Sequence, residues 1–423
     1  MNLKESIINQ AKAAKSAAGQ IARCKTAVKN NALMAMADAL EKNRNFLIEE
    51  NIKDLEAGRG KSLSMPLIER LTLTSKRIAE MAAGLREVAA LPDPVGQILG
   101  LSRRPNGMQV GQMRVPIGLI GIIYESRPNV TADTTALCVK SGNAVILRGG
   151  SEAIHSNKAI ASVIIAAGES AGLPPHFATL IETTDRQAIF EMLALSDWID
   201  LMIPRGGDPL MQTVTQHARM PVMKHDKGVC HTFVDASAEL EMACEIVINA
   251  KTQRPATCNA METLLIHQAI AKKFLPVIAK KLQETKVEIR ACPKTWRVMT
   301  EACFSSITEA TESDWGAEYL DLILAVKVVD DIDEAMAHIA QYGSAHSEAI
   351  ITNEHDHAMR FLNEVDASAV LVNASTRLND GYQLGLGAEM GISTSRIHAR
   401  GPMGLEALTC PKFIVLGEGQ IRA

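Results

Sequence analysis

The sequence predicts an α/β fold with two open, doubly wound parallel-sheet domains and a small additional β element. Apolar strand-like runs alternate with helix-like stretches through the middle of the chain, and this alternation restarts after Gly228. A chain of 423 residues is also too long for one hydrophobic core. The net charge of -4, the aromatic content of 4% and the scattered basic residues argue against a nucleic-acid-binding surface.

The first 90 residues are predicted to form amphipathic helices. Apolar residues recur at helical spacing from Leu33 to Leu40 and from Ile78 to Leu85, and we expect Ser75 to cap the second of these helices. The first 57 residues contain Lys or Arg at regular intervals, without a signal-peptide apolar region or a membrane-length apolar run. The sequence therefore predicts a cytosolic protein.

The rest of the first domain is predicted from alternation and from apolar runs. Residues 97–116 alternate in polarity like a β-hairpin. The apolar runs 117–124 and 143–148 flank a helix-like stretch over 131–140, which predicts a parallel strand-helix-strand unit. A helix and two strands follow (153–168, 177–182 and 198–204). Ligands of such a sheet are expected beyond the carboxyl ends of its strands.

A second α/β domain is predicted after Gly228. Its strands are expected at 231–235, 261–267, 322–330, 348–353 and 368–373, with helices at 238–250 and 333–341. A late apolar run over 412–417 predicts one more strand. We expect the domain bounds to be 1–230 and 231–365, with residues 366–423 returning to the first domain.

Two glycine pairs follow predicted strands of the first domain. They occur in the sequences Arg148-Gly149-Gly150-Ser151 and Arg205-Gly206-Gly207-Asp208. Glycine allows the backbone to approach a phosphate, a helix N-terminus favours negative charge, and arginine pairs with it. Gly-Gly at a strand end is usually only a turn. Because two pairs occupy equivalent positions, we favour a nucleotide site, although no G-x-G-x-x-G follows the first strand.

Cys258 is the candidate nucleophile, in the sequence QRPATCNAMETLL. A thiol becomes a useful nucleophile when a helix N-terminus or a cation lowers its pKa, and the alternative is an inert buried cysteine. The eight cysteines are widely spaced and never form C-x-x-C, which favours reduced thiols over disulfides or zinc sites. The pair His355 and His357 has no third ligand near it, so we interpret it as a helix start and predict no metal.

Two further segments are rich in hydrogen-bond donors. The basic segment Lys224–His231 lies where the first domain gives way to the second, and the segment 393–401 contains Arg396 and Arg400. Each is either a solvated loop or a site for a carboxylate or a phosphate.

Several of these segments together resemble the aldehyde dehydrogenase superfamily. The resemblance runs through 115–153, Pro204–Gly207, 224–235, the Cys258 loop and 385–409, and it covers essentially the whole chain. It is closest to the branch of the superfamily that reduces L-glutamyl 5-phosphate in proline synthesis. It implies a nucleotide-binding domain, a catalytic domain bearing the cysteine, and a small β oligomerisation flap that the 97–116 hairpin and the late strand would form.

The resemblance also implies roles for individual residues. Cys258 falls at the catalytic thiol, and Arg148 and Ser151 resemble the contacts to the adenosine ribose, where an arginine favours NADP(H) over NAD. Gly149 and Gly150 lie between these two residues. The pyrophosphate side of the cofactor corresponds to Arg205, Gly206 and Gly207, and the nicotinamide ribose to Glu318.

The sequence departs from the superfamily at two motifs. Oxidising members use the glutamate of an E-L-G-G segment to hydrolyse the acyl-enzyme, whereas the corresponding segment here, Met223–Gly228, has no clear counterpart of that base. The asparagine of the P-W-N motif is an oxyanion donor, and here Asn129 and Arg127 are both candidates for it. The basic residues Lys224, His225, Arg396 and Arg400 would then hold the phosphate or the amino-acid carboxylate.

The expected activity is the NADPH-dependent reduction of L-glutamyl 5-phosphate to L-glutamate 5-semialdehyde through a thioester on Cys258. The resemblance further implies a homo-oligomer and leaves glutamate 5-kinase as a possible partner, without nucleic acid or membrane. Two alternatives stay open: another semialdehyde dehydrogenase or acyl-CoA reductase of the same superfamily, and a non-catalytic nucleotide-binding protein in which Cys258 is structural.

Overall fold

The computed structural model describes residues 2–224, 227–304 and 307–422. The helices are α1 (Leu3–Ile21), α2 (Thr26–Lys42), α3 (Arg44–Gly60), α4 (Met65–Leu71), α5 (Ser75–Ala90), α6 (Val130–Lys140), α7 (Ile154–Ser170), α8 (Gln187–Leu193), α9 (Asp208–His217), α10 (Leu240–Thr252), α11 (Gln268–Glu284), α12 (Pro293–Glu301), α13 (Ile332–Tyr342) and α14 (His355–Glu364). The strands are β1 (Ile98–Arg103), β2 (Gln109–Pro116), β3 (Leu119–Tyr124), β4 (Ala144–Gly149), β5 (Ala178–Leu180), β6 (Leu201–Arg205), β7 (Cys230–Val234), β8 (Met261–His267), β9 (Glu288–Ala291), β10 (Ile307–Glu309), β11 (Ile323–Val329), β12 (Ser347–Ile351), β13 (Ala369–Val372), β14 (Ile392–Ser393), β15 (Gly401–Pro402) and β16 (Thr409–Leu416).

The chain forms two compact units. The first comprises Met1–Lys224, Gly385–Met390 and Met403–Ala423, and the second comprises His225–Leu384 and Gly391–Pro402. The predicted return to the first domain at residue 366 is therefore too early. Strand β13 pairs in parallel with β12, which keeps this part of the chain in the second unit until Leu384.

The first unit contains a parallel sheet with the strand order β5-β4-β3-β6. Every residue of β3 and β4 is buried, as expected for a parallel sheet that helices cover. Helices α1 and α6 contact β4, and the predicted strand-helix-strand unit is confirmed. The N-terminal helices are also confirmed, except that the cap of α5 is Thr74, whose hydroxyl accepts the Arg77 N–H at 3.2 Å, rather than Ser75.

A separate antiparallel sheet of the first unit has the order β1-β2-β16. Strands β1 and β2 form the predicted hairpin, and β16 pairs with β2 from Thr409 opposite Pro116 to Leu416 opposite Gln109. The late strand predicted at 412–417 is thus confirmed and begins earlier, at Thr409. All of β1 is exposed, which is unusual for a strand with so many apolar residues.

The second unit is built on a parallel sheet with the order β10-β9-β11-β8-β7-β12-β13. Strand β8 lies between β11 and β7, and all but its last residue, His267, is buried. The register of β7 against β8 shifts between Cys230 and His231, which marks a bulge at the amino end of β7. The bulge lies beside the turn that contains Cys258.

Helix α14 begins at His355, so the interpretation of His355 and His357 as a helix start is confirmed. Among the described residues, no helix combines the length and the apolar character needed to cross a bilayer.

Candidate active site

Cys258 lies in the turn between α10 and β8, and its side chain is partly exposed. Helix α10 ends at Thr252, and Pro255 cannot continue it because proline lacks the N–H that a helix requires. The Ala260 N–H donates to the Thr257 carbonyl at 3.0 Å and closes the turn at the amino end of β8. The sequence correctly placed this thiol in a loop, and none of the eight cysteines forms a disulfide.

The side chain of Asn259 anchors this turn. It is buried, its Nδ2 donates to the Asn379 carbonyl at 3.0 Å, and its Oδ1 accepts the Thr257 hydroxyl at 3.1 Å. The Arg377 Nη1 also donates to Asn259 Oδ1, and the Arg377 Nε donates to Gln253 Oε1 at 2.9 Å. Both ends of the segment 253–259 are therefore bonded to the segment 377–379, which fixes the backbone on either side of the thiol.

From the sequence, Asn259 was recognised only as a polar neighbour of Cys258, and Arg377 was missed. They lie 118 positions apart, so no local periodicity connects them. A signal was present in the mainly polar segment 373–380, which follows the apolar strand β13, because function is often carried by loop residues that a regular element positions.

Gly228 passes directly against the backbone of Cys258. A β-carbon at this position would lie 2.0 Å from the Cys258 carbonyl oxygen and 2.6 Å from its Cα, so only glycine fits. The Gly228 N–H donates to Glu318 Oε1 at 2.9 Å. The structure thereby brings Glu318, predicted from the resemblance as a ribose contact, next to the thiol-bearing turn of the same unit.

A second thiol, Cys230, contacts the same turn. Its Sγ donates to the Cys258 carbonyl at 3.1 Å, and it lies 3.7 Å from Nδ1 of His346. Burial raises the pKa of Cys230, and the neighbouring carboxylate of Glu348 acts in the same direction. Cys230 is therefore a neutral hydrogen-bond donor at neutral pH, whereas Cys258 has access to solvent.

A buried ion pair flanks the turn. Lys251 near the end of α10 and Glu262 in β8 are both fully buried, with Nζ and Oε2 2.6 Å apart. Burial raises the pKa of Glu262, and the charge of Lys251 opposes this. Glu262 Oε1 also accepts the Leu320 N–H at 3.3 Å. The pair thus connects α10, β8 and the segment that contains Glu318.

The predicted cofactor residues of the first unit gather at one edge of its sheet. Tyr124, the last residue of β3, pairs in register with Gly149 of β4 on one side and with Arg205 of β6 on the other. Both glycine turns therefore start next to the carboxyl end of β3, the edge at which doubly wound sheets bind their ligands.

Arg148 is buried at this edge. Its Nη2 donates to the carbonyl oxygens of Thr184 and Asp185 at 3.2 and 3.4 Å, whereas its buried Nε has no hydrogen-bond partner in the described part of the chain. Burial lowers the pKa of Arg148, and the carboxylate of Glu152 opposes this. Ser151 is exposed at the start of a short 3-10 turn that leads into α7.

The two glycines after Arg148 have different surroundings. A β-carbon at Gly149 would lie 2.1 Å from Asn157 Nδ2, so internal packing accounts for this glycine without a ligand. A β-carbon at Gly150 would lie 2.2 Å from the Glu152 carboxylate, which accepts both the N–H and the hydroxyl of Ser126. Glu152 therefore lies over the turn that the sequence predicted for a phosphate.

A carboxylate also lies over the second glycine turn, at Gly206 and Gly207. A β-carbon at Gly206 would lie 2.4 Å from Glu125 Oε2, and the same oxygen accepts the Gly207 N–H at 3.1 Å. Gly207 is the N-cap of α9. A carboxylate thus occupies the helix N-terminus at which an anion is favoured, and a phosphate there would replace Glu125 as the acceptor.

The two candidate oxyanion donors lie in the loop between β3 and α6. Arg127 and Asn129 are both exposed, and the Asn129 Nδ2 donates to Asp133 Oδ2 at 2.8 Å. An amide nitrogen has two hydrogens, so this bond uses one of them.

The four basic residues predicted to bind the substrate differ in their surroundings. Arg400 Nη2 donates to Asp366 Oδ1 at 2.7 Å, and Arg396 bonds to Asp366 Oδ2. A substrate anion would have to compete with this carboxylate, whose pKa the bond from Arg400 lowers most. Lys224 is the last residue of the first segment of the first unit. His225 lies outside the described residues.

Among the described residues, no group of three or more His, Cys, Asp or Glu side chains is arranged to hold a metal ion. His357, one of the pair considered as ligands, instead places its Nδ1 3.0 Å from Asp235 Oδ2.

Comparison with known proteins places these features in a family. The model of the Aldehyde dehydrogenase family matches residues 3–312. The gamma-glutamyl phosphate reductase of Thermodesulfovibrio yellowstonii is 57% identical over 422 residues and covers 100% of both chains. The crystal structure of gamma-glutamyl phosphate reductase from Thermotoga maritima is 47% identical, covers 99% of this chain and 100% of its own, and superposes with a TM-score of 0.95.

A more distant structural neighbour is an engineered glycolyl-CoA reductase with bound NADP+. It is 15% identical, covers 97% of this chain and 96% of its own, and has a TM-score of 0.69. At this identity the likeness extends to the fold alone.

Proposed function

Because the chain belongs to the gamma-glutamyl phosphate reductases of the aldehyde dehydrogenase family, we propose that it reduces L-glutamyl 5-phosphate to L-glutamate 5-semialdehyde. The observation that supports this most directly is the placement of Cys258. Its partly exposed thiol lies on a turn whose flanking residues Gln253 and Asn259 are both bonded to Arg377. A nucleophile needs this combination of access and fixed position.

In the proposed reaction the sulfur of Cys258 attacks the acyl-phosphate carbonyl. A C–S bond forms, the C–O bond to the phosphoryl group breaks, and the thiol proton leaves with the phosphate as hydrogen phosphate. The backbone N–H of Cys258, with a side chain from Asn129 or Arg127, is proposed to stabilise the oxyanion. The product on the enzyme is a thioester. Addition of a hydride to its carbonyl carbon, cleavage of the C–S bond and uptake of a proton from water by the sulfur then give the semialdehyde and the free thiol.

The hydride comes from NADPH, which supplies it when bound. The first unit fits such a cofactor, because the buried Nε of Arg148 has no partner in the described residues and α9 presents its N-terminus at Gly207. We propose that Arg148 and Ser151 hold the phosphorylated ribose, with Gly150 alongside, and that Arg205, Gly206 and Gly207 hold the pyrophosphate. Glu318 is the proposed contact of the nicotinamide ribose.

Reduction requires that water does not consume the thioester first. The hydrolytic base of oxidising family members is a glutamate in the segment that corresponds to residues 223–228. This sequence has no glutamate there. The missing base favours hydride transfer to the thioester carbonyl over hydrolysis of the thioester.

The test uses the reverse reaction, the oxidation of L-glutamate 5-semialdehyde. We expect multiple turnovers of NADP+ reduction only when phosphate or arsenate is present to release the acyl group, and NAD+ to be a much poorer acceptor. Oxidation that requires coenzyme A instead of phosphate would contradict the proposal and favour an acyl-CoA reductase of the same fold.

A variant separates the covalent mechanism from simple binding. Cys258→Ala should abolish turnover while NADPH still binds, because the nucleophile is lost and the cofactor residues are intact. Cys303→Ala is the matched control, since Cys303 is an exposed thiol of the same unit, and it should retain activity. Substantial turnover by Cys258→Ala would rule out the thioester.

The cytosolic location, the homo-oligomer and a glutamate 5-kinase partner remain predictions from the sequence. The same holds for Lys224, His225, Arg396 and Arg400 as substrate contacts, although Asp366 already binds the two arginines.

A further inference from the structure

Two arginines of the second unit lie at the Cys258 turn. Arg377 donates from Nε to Gln253 Oε1 and from Nη1 to Asn259 Oδ1. Arg254 directly follows Gln253, and Cys258 directly precedes Asn259. The two hydrogen bonds therefore hold the Arg377 guanidinium against the short segment that contains both Arg254 and the thiol.

The charges of these two arginines act on each other. Burial lowers the pKa of Arg377, the charge of Arg254 lowers it further, and Asp380 and the two thiols Cys258 and Cys230 oppose this. Asp380 Oδ1 accepts the Tyr382 N–H at 3.0 Å, so this carboxylate also has a structural role. Arg254 belongs to the segment to which Arg377 is bonded, so an anion bound at this segment would be attracted by both positive charges.

The proposed substrate brings such an anion to this place. In an acyl phosphate the phosphorus is bonded to the oxygen next to the carbonyl carbon, so the phosphoryl group must lie beside the sulfur that attacks. The negative charge on the phosphoryl group increases as the C–O bond breaks. Guanidinium groups bind phosphate oxygens in a bidentate geometry. Arg396 and Arg400 are less suited to this role because Asp366 binds both.

We propose that Arg254 and Arg377 form the phosphate subsite beside Cys258. The two arginines have complementary roles. Arg377 is half-buried and fixed by two hydrogen bonds, so it presents its remaining N–H groups in a set direction. Arg254 is exposed, so it would contact the leaving phosphate from the solvent side. This assignment rests on the proposed function and adds to it the residues that recognise the leaving group.

The oxidation direction tests the subsite, because phosphate is then a substrate with its own KM. Arg254→Gln removes a charge without removing a bond that holds the turn. We expect the KM for phosphate to rise about tenfold or more, while the KM for the semialdehyde stays the same. Arg360→Gln is the matched control, an exposed arginine of α14 paired with Asp333 and Glu364, and its KM for phosphate should not change.

Arg377→Gln should raise the KM for phosphate as well, but it also removes the bonds to Gln253 and Asn259. A second measurement therefore checks that the thiol still functions. With NADP+ and semialdehyde but no phosphate, the enzyme should form one equivalent of NADPH per active site as the thioester accumulates. An intact burst with a raised KM for phosphate supports the subsite, whereas a lost burst with an unchanged KM contradicts it.

Inorganic phosphate alone provides a third measurement. It should slow the alkylation of Cys258 by iodoacetamide in the wild-type protein and protect much less in Arg254→Gln, with the exposed Cys303 as the unprotected reference. Equal protection in both proteins would overturn the proposal, and so would a rise in the KM for semialdehyde alone, which would assign the arginines to the amino-acid carboxylate. If the wild-type protein shows no phosphate-dependent oxidation at all, the proposed function itself is wrong.

Discussion

Gly228 is the residue whose replacement should separate positioning from stability most clearly. The β-carbon of an alanine would lie 2.0 Å from the Cys258 carbonyl oxygen, and backbone atoms cannot move aside cheaply. We expect Gly228→Ala to lower kcat by about a hundredfold, because a displacement of about 1 Å at a reacting atom has effects of that size. The measurement is steady-state semialdehyde oxidation, with circular dichroism to confirm the fold.

Gly84→Ala is the control for this substitution. Gly84 lies in α5 of the other unit, and a β-carbon there would meet no atom within 4 Å. Its activity should equal that of the wild type, and its stability should rise slightly because alanine favours the helix. A Gly228→Ala enzyme with normal kcat would show that the Cys258 turn tolerates a shift of its backbone.

At the scale of elements, four hydrogen bonds to one carboxylate, that of Asp314, hold the segment between β10 and β11 in place. Asp314 Oδ2 accepts the N–H and the hydroxyl of Thr311, and its Oδ1 accepts from Arg290 at 2.6 Å and from the Tyr319 hydroxyl at 2.8 Å. Burial works against the ionised form, but these bonds outweigh it and lower the pKa of Asp314 to about 2. The same segment contains Glu318, so its order bears on the proposed ribose contact.

Because its pKa is lowered on folding, Asp314 makes a contribution to the free energy of unfolding that depends on pH. The contribution is fully present above the pKa of the unfolded chain, near 4, and is lost as the pH falls towards 2, because only the ionised carboxylate accepts all four bonds. It amounts to about 2 kcal/mol. Guanidinium unfolding at pH 7 should therefore show Asp314→Asn to be less stable than the wild type, and the difference should shrink below pH 3.

Asp333→Asn is the control for this titration, since Asp333 is an exposed partner of Arg360 and such pairs contribute little. A stability difference for Asp314→Asn that is the same at pH 7 and below pH 3 would contradict the role of its charge.

At the scale of the whole molecule, the sheet of β1, β2 and β16 presents apolar side chains to solvent. Phe413 is 72% exposed, and Ile98, Leu101, Val415 and Leu416 are also exposed. Both outer strands, β1 and β16, have open edges that can pair with another chain. This agrees with the predicted oligomerisation flap, and we expect Phe413→Asp to shift the protein to a smaller assembly.

Analytical ultracentrifugation measures that shift. Met65→Asp is the matched control, because Met65 is 78% exposed on α4, away from this sheet in the sequence, and its assembly should not change. If Phe413→Asp sediments like the wild type, the flap does not hold copies of the chain together.

How much of this could be predicted depends on the range of the interaction. Buried parallel strands such as β3 and β4 are continuous apolar runs, and the hairpin of β1 and β2 is an alternating one, so both are visible locally. The loop position of Cys258 is also a local feature, because the neighbouring residues Gln253, Arg254, Thr257 and Asn259 are polar. These features need only the residues next to them.

The contacts that shape the site join distant residues, and no local pattern contains them. Arg377 reaches Asn259 across 118 positions, and Gly228 meets Glu318 across 90. The contact of Glu125 with Gly206 and Gly207 also depends on a long-range feature, the register of β3 with β6. The early prediction of the domain return at residue 366 failed for the same reason, because the pairing of β13 with β12 is a tertiary choice.

The pairing of β2 with β16 has a consequence for synthesis on the ribosome. Arg114 of β2 bonds to Glu406, 292 residues later, and β16 begins shortly after that residue, at Thr409. Until the ribosome has released that late segment, the nascent chain exposes the second edge of β2 together with the apolar side chains of the hairpin. The three-stranded sheet can therefore form in full only after β16 has been synthesised.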